Sequence, residues 1–195
     1  MYTIPLLEDR QVVARPGDEG FTLIELLVVL LIIGVLLAIA IPTFLSTTGS
    51  ANNTSAQADL KTALTGADTY FMTAGSQSYA YLDSSAGGTS TITSVGTGLT
   101  YVSGSGAANS SSGPHVISVS VSNGGNALVM TALAHGSLDC WGILDIKSTL
   151  SSALDRETAI GTYYFVVPGS SASACIAQSA SPSVGNISST AFPHG

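Results

Sequence analysis

Nine side chains carry what chemistry this 195-residue sequence offers. Glu25 is the one ionisable residue inside an otherwise apolar stretch, residues 21–41. Cys140 and Cys175 are the only cysteines. His115, His135 and His194 are the only histidines, and Asp145, Asp155 and Glu157 lie in or beside the segment between the cysteines. Four-ligand zinc needs more Cys and His at closer spacing than this. In an extracytoplasmic protein two distant cysteines read as one disulfide, with two buried free thiols as the alternative. Calcium takes six to eight oxygens from a dense Asp/Asn/Gly loop. No such loop stands here, so the three acids read as solvated surface groups. His115 and His135 show no acid–serine context for a catalytic triad, and Trp141 beside Cys140 reads as core packing against the disulfide. No catalytic, cofactor-binding or metal-binding residue is expected.

The elements that position these groups begin with the apolar run. Its 21 residues span roughly 31 Å as a helix, enough for a bilayer core of ~30 Å. No small-residue cleavage site follows it, which excludes a secretory signal peptide. Arg10 and Arg15 precede the run and residues 46–60 hold no Lys or Arg, so everything after Leu45 is expected outside the cytoplasm. An ionisable group in a span is a functional site unless its carboxylate reaches the nearby interface, and both readings of Glu25 stand on periodicity alone. Gly34 and Pro42 interrupt the span. Proline removes one backbone hydrogen bond, so a kink or an unwound stretch is expected near 38–42.

The run Gly20-Phe21-Thr22-Leu23-Ile24-Glu25-Leu26-Leu27-Val28-Val29, continued to Ala40-Ile41-Pro42, resembles the cleavage and methylation signature of type IV prepilins. It covers roughly residues 17–45. The resemblance implies removal of residues 1–20 by a prepilin peptidase that cuts after Gly20, followed by N-methylation of Phe21. Glu25, with Thr22, would act in assembly, the carboxylate neutralising the Phe21 ammonium of a neighbouring subunit. The partners implied are other copies of the chain in a helical homopolymer, the inner-membrane assembly machinery, and the membrane before assembly. The leader departs from the pattern in its length and in its four acids against two arginines.

Beyond residue 45 a stripe of Leu60, Leu64, Ala67 and Phe71 predicts an amphipathic helix stopped by Gly75. Residues 21–74 therefore read as one helix, the membrane half 21–45 and the amphipathic half 46–74, weakened at Gly49 and Asn52-Asn53. Residues 75–195 read as a β-rich head, with a disulfide-bounded C-terminal region at 140–175. Strand candidates lie at 91–95 and 99–103. Alternation of Ile117, Val119 and Val121 with serines, a turn at 123–126 and a return strand at 127–134 predict a hairpin. Further strands are expected at 140–146 and 162–167. The fold class is α+β: a long N-terminal helix packed on a small antiparallel sheet of three or four strands. The tail after Cys175 reads as either disordered or an added edge strand.

Charged residues make up 9% of the chain and the formal net charge is −7. After removal of residues 1–20, eight acids face three bases, which argues against binding nucleic acid by phosphate neutralisation. Two alternatives stand beside a pilus subunit. One is a pseudopilin of type II secretion or DNA uptake. The other, of a different class, is a lone membrane-anchored adhesin or enzyme.

Overall fold

A computed structural model describes residues 20–73, 77–80, 82, 98–104, 110–149, 159–178 and 187–193. Residues 1–19 of the leader, Gly75, the strand candidate at 91–95, Asp155, Glu157 and His194 lie outside the described residues. The chain divides into two compact units, Met1–Thr43 and Phe44–Gly195.

Helix α1 spans Leu23–Thr73. In the first unit each of its side chains is exposed. Among the described residues it is the one helix long and apolar enough to cross a membrane. It passes through Pro42 as continuous helix, so the unwound stretch expected at 38–42 is not present in the free chain. The proline removes one N–H, and beside the gap the Thr43 hydroxyl lies 2.9 Å from the Ala40 carbonyl oxygen and 3.2 Å from that of Ile39.

In the second unit α1 buries Ala56, Leu60, Ala63, Gly66 and Ala67. The stripe read from the sequence is thus rotated by about one residue, with Leu64 and Phe71 on its flanks. Small side chains along the centre line let the helix backbone approach the sheet, and the larger ones close the sides. Against this face lies a six-stranded sheet in the order β1-β2-β3-β4-β5-β6. The strands are β1 Thr100–Ser103, β2 Val116–Ser122, β3 Ala127–Ala134, β4 Asp139–Ile146, β5 Gly161–Val167 and β6 Ile187–Ser188. The predicted hairpin is β2–β3, with Ser122 opposite Ala127. Beyond the four antiparallel strands stand β1, at the strand candidate read at 99–103, and β6, the edge-strand reading of the tail. β1 pairs parallel with β2, and β6 adds the tail to the edge of β5.

All eight residues of β3 are buried, because both faces of the sheet are covered. Leu128, Met130, Trp141, Ile143 and Val166 face the helix. Val129, Leu144, Ile146 and Phe165 form a second cluster with Ala177 of the C-terminal region. A single covering layer on the helix side was the sequence expectation; the segment after β5 supplies the other. Gly142 sits opposite Phe165 in the β4–β5 register. A Cβ there would fall 2.1 Å from the ring, so the glycine lets the ring lie flat on the strand.

Cys140 and Cys175 are bonded, their Cα atoms 5.4 Å apart. Both are buried, packed with Leu133. Trp141 does not pack on this disulfide, contrary to the sequence reading. Successive strand residues point to opposite faces, so Trp141 lies on the helix side, edge-on to Phe192 at 5.7 Å. Phe192 also meets Tyr164 at 4.8 Å, with the Lys61 ammonium 5.7 Å from its centroid. The tail therefore turns around the β5 edge and ends against the helix face.

Asn53, read as a weak point of the helix, joins it to the sheet instead. Its carbonyl oxygen accepts from Ser137 Oγ at 2.5 Å and from Trp141 Nε1 at 3.1 Å, and its amide donates to Asp139 at 3.3 Å. Asn53→Ala would leave the buried indole N–H without its acceptor. A loss of about 2–3 kcal/mol is expected. Urea unfolding followed by Trp141 fluorescence measures it, and an unchanged midpoint refutes the role.

Candidate assembly and head sites

At the start of α1 the sequence Thr22-Leu23-Ile24-Glu25 builds an N-terminal cap. The Glu25 N–H donates to Thr22 Oγ1 at 3.3 Å, and the Thr22 hydroxyl donates to the Glu25 carboxylate at 3.3 Å. The Thr22 carbonyl accepts from the Glu25 and Leu26 amides at 3.2 and 3.3 Å. A carboxylate in the first turn also faces the positive end of the helix dipole, worth about 0.3–1 kcal/mol. Thr22 and Glu25 thus act together locally, a pairing visible as a T-x-x-E spacing and not read from the sequence at first.

Phe21 is 81% exposed, and from Leu23 through Leu45 every large apolar side chain is exposed as well. A Cβ on Gly34 would meet nothing within 4 Å, so nothing within the chain requires glycine there. The site is a continuous apolar surface with a single capped carboxylate at its N-terminal end. Its chemistry is that of burial in lipid or against other helices.

The head holds two polar constellations. Asp145, read as a solvated acid, is 2% exposed. Its carboxylate accepts from Thr162 Oγ1 at 2.6 Å and from Tyr79 Oη at 2.5 Å, and Lys147 Nζ lies 3.0 Å away. Lys147 also pairs with Asp68 of α1 at 2.9 Å, and Tyr79 Oη is 2.9 Å from the same oxygen. The alternation of β4 puts Asp145 and Lys147 on one face, and the Tyr79 backbone N–H donates to Gly125 O at 2.7 Å to bring its ring in. The cluster ties helix, sheet and the 77–80 loop together, which is structural work and not catalysis.

Burial, reinforced by Asp145 and Asp68, pushes the Tyr79 hydroxyl far above its ordinary value of 10. Burial pulls the Lys147 ammonium down, but Asp68 and Asp145 outweigh it and leave it above 10.5. Groups raised in the folded state stabilise below their unfolded values, and that stability is lost as pH rises toward the folded ones. The head should therefore keep its urea midpoint through neutral pH and lose stability above about pH 10, by ~1.4 kcal/mol per pH unit for the Tyr79 proton. Tyr79→Phe should make that decline shallower; an unchanged slope would count against it.

The second constellation lines a groove of about 180 Å³ between α1 and the ends of β2 and β3, with Asn52, Ser55, Asp59, His115 and His135 on its walls. His115 Nδ1 lies 3.0 Å from Asp59 Oδ2, a pairing the sequence reading missed because 56 residues separate the two. Among the described contacts Ser55 forms no hydrogen bond with His115, so the groove holds an Asp–His pair without a nucleophile attached. Among the described residues no group of three or more His, Cys, Asp or Glu is placed to hold a metal ion.

The described structure thus combines a capped helix start, an exposed apolar helix segment long enough to cross a membrane, and a disulfide-bonded α+β head. Residues 15–41 match the family described as the prokaryotic N-terminal methylation motif. Over 57 residues the chain is 43% identical to the type IV major pilin protein PilA of Myxococcus xanthus (strain DK1622), covering 29% of this chain and 26% of that protein. Both matches lie in short segments of the chain, so the similarity to type IV pilins is one of part of the chain. The match spans about a quarter of the length of this curated relative. No solved structure matches the chain.

Proposed function

We propose that the chain is a structural subunit of a type IV pilus, made as a single-pass precursor with its N-terminus in the cytoplasm. The observation that carries this reading is the exposed apolar half of α1, with one capped carboxylate, lying under the methylation motif. A prepilin peptidase cuts after Gly20 and Phe21 is N-methylated. Segment 21–45 anchors the subunit in the membrane and then packs against its copies, 46–74 carries the head, and 75–195 forms the pilus surface. The new α-amino group at Phe21, with a reference pKa near ~7.7–8.0, is a cation that must enter an apolar filament core. Glu25 of a neighbour is an anion with the same difficulty, and pairing them offsets both desolvation costs while fixing the axial register. Gly34 allows close helix approach and Pro42 a kink once neighbours pack. The protein performs no catalysis and needs no cofactor, and nucleic acid is not among its partners.

Intact-mass spectrometry of filaments sheared from cells, compared with the residual membranes, tests this. The expected species is abundant, sheared, begins at N-methylated Phe21 and retains the disulfide. The same processed mass confined to the membrane would instead favour a pseudopilin, and a mass still carrying residues 1–20 in both fractions would refute the assignment.

A further inference from the structure

The groove beside the Asp59–His115 pair lies wholly within the second unit, and its volume of about 180 Å³ gives room for several waters or one sugar ring. Asn52, Ser55 and Asp59 stand at positions i, i+3 and i+7 of α1, so one helix face carries an amide, a hydroxyl and a carboxylate to its wall. His115, just before β2, and His135, just after β3, add two imidazoles. Ala56, Val116 and Ala132 supply apolar lining.

Most of these polar groups are unspent within the protein. Among the described residues the side chains of Asn52, Ser55 and His135 make no hydrogen bond, and Asp59 engages His115 through Oδ2 alone, leaving Oδ1 without a partner. The Asp59 side chain is only 16% exposed, so that oxygen is largely withdrawn from solvent and depends on donors that enter the groove. His115 fixes the carboxylate from a backbone φ of 58°, a left-handed conformation uncommon outside glycine. The Thr100 N–H holds that backbone by donating to the His115 carbonyl oxygen at 2.9 Å. Strain of this kind collects at sites that clamp ligands.

The lining selects the chemistry of the occupant. Neither Lys nor Arg stands on the walls and a carboxylate does, which disfavours an anion. A wholly apolar ligand would leave the amide, the hydroxyl and the free carboxylate oxygen unpaired. An alkylammonium would engage Asp59 and make no use of Ser55, Asn52 or the apolar lining. A neutral pyranose uses all of them: its hydroxyls donate to Asp59 Oδ1 and exchange hydrogen bonds with Asn52, Ser55 and His135, while its C–H face rests on the apolar side chains. We propose that this groove binds one neutral pyranose ring, with Asp59 as the principal acceptor. The site belongs to the head alone and holds whether or not the chain polymerises.

The test uses the full chain in lauryldimethylamine oxide micelles, which contain neither sugar nor phosphate. The methyl glycosides of glucose, galactose and mannose are titrated in and followed by saturation-transfer NMR. A single ring of ~13 non-hydrogen atoms should bind at least one of the three with a Kd of about 1 mM. Asp59→Asn should weaken that binding about 10-fold, the loss of a hydrogen bond to a charged group. Ser55→Phe, at an exposed helix position, fills the groove and should abolish binding with an unchanged urea midpoint, followed by Trp141 fluorescence. No transfer to any of the three glycosides at about ten times the expected Kd overturns the proposal. Binding that survives Ser55→Phe unchanged places the sugar elsewhere and overturns it too. Inorganic phosphate and n-butylamine are added as competitors, and displacement of the glycoside by either at equal concentration would assign the groove to a charged ligand instead.

Discussion

Glu25→Ala is expected to abolish filaments while leaving cleavage after Gly20 intact. The carboxylate makes two separable contributions. Within the chain it completes the Thr22 cap at 3.3 Å, worth about 1 kcal/mol for the start of the helix. Between chains, on the proposed assembly, it neutralises an ammonium that otherwise enters an apolar core alone, at ~2.5–3.5 kcal/mol. A deficit of about 3 kcal/mol for each added subunit raises the concentration needed for polymerisation roughly 100-fold. Glu25→Gln separates the two, because glutamine retains the capping capacity and loses the charge. If charge pairing drives assembly, both variants are processed and both fail to polymerise, as seen by mass spectrometry of membranes and by counting sheared filaments. Filaments from the glutamine variant at normal abundance would assign Glu25 to the cap alone.

Replacing both cysteines, as Cys140→Ser with Cys175→Ser, should cost the head about 4 kcal/mol. The two residues are separated by 35 positions, and a loop of that size carries this much closure entropy in the unfolded chain. The figure is a large share of the ~5–15 kcal/mol that holds a domain folded. The bond also fastens the segment that covers the second face of the sheet, where Ala177 packs against Val129, Leu144 and Phe165. Urea unfolding of the variant should therefore show a large fall in midpoint. A change below about 1 kcal/mol would mean that this cover holds without the crosslink. Cys140 is 1% and Cys175 0% exposed, so reductant should reach the bond in the intact head only through unfolding.

Much of the architecture was legible because its signals are local. Uninterrupted apolarity marks a membrane-competent helix, and alternation with a glycine-rich turn marks β2–β3, since both patterns follow from periods of 3.6 and 2 residues. What could not be read were the contacts made across the chain. Asp145 looked like a surface acid because nothing near it in sequence reveals that Tyr79 and Thr162 donate to it and that Lys147 bridges it to Asp68. The parallel pairing of β1 with β2 leaves no periodic trace, and a two-residue β6 is too short to show one.

The sequence by itself determined the apolar segment 21–45: its helix, its apolar surface, its single carboxylate and the match to the N-terminal methylation motif. These properties belong to one continuous segment whose side chains meet only their near neighbours. Tertiary structure alone decided how the head is held. It placed Asn53 on Trp141, turned Cys140 and Trp141 to opposite faces of one strand, and brought Phe192 around the sheet edge to the helix. The physical reason is that burial and hydrogen-bond satisfaction are settled between residues far apart in the chain, where composition and spacing carry no record of the partner.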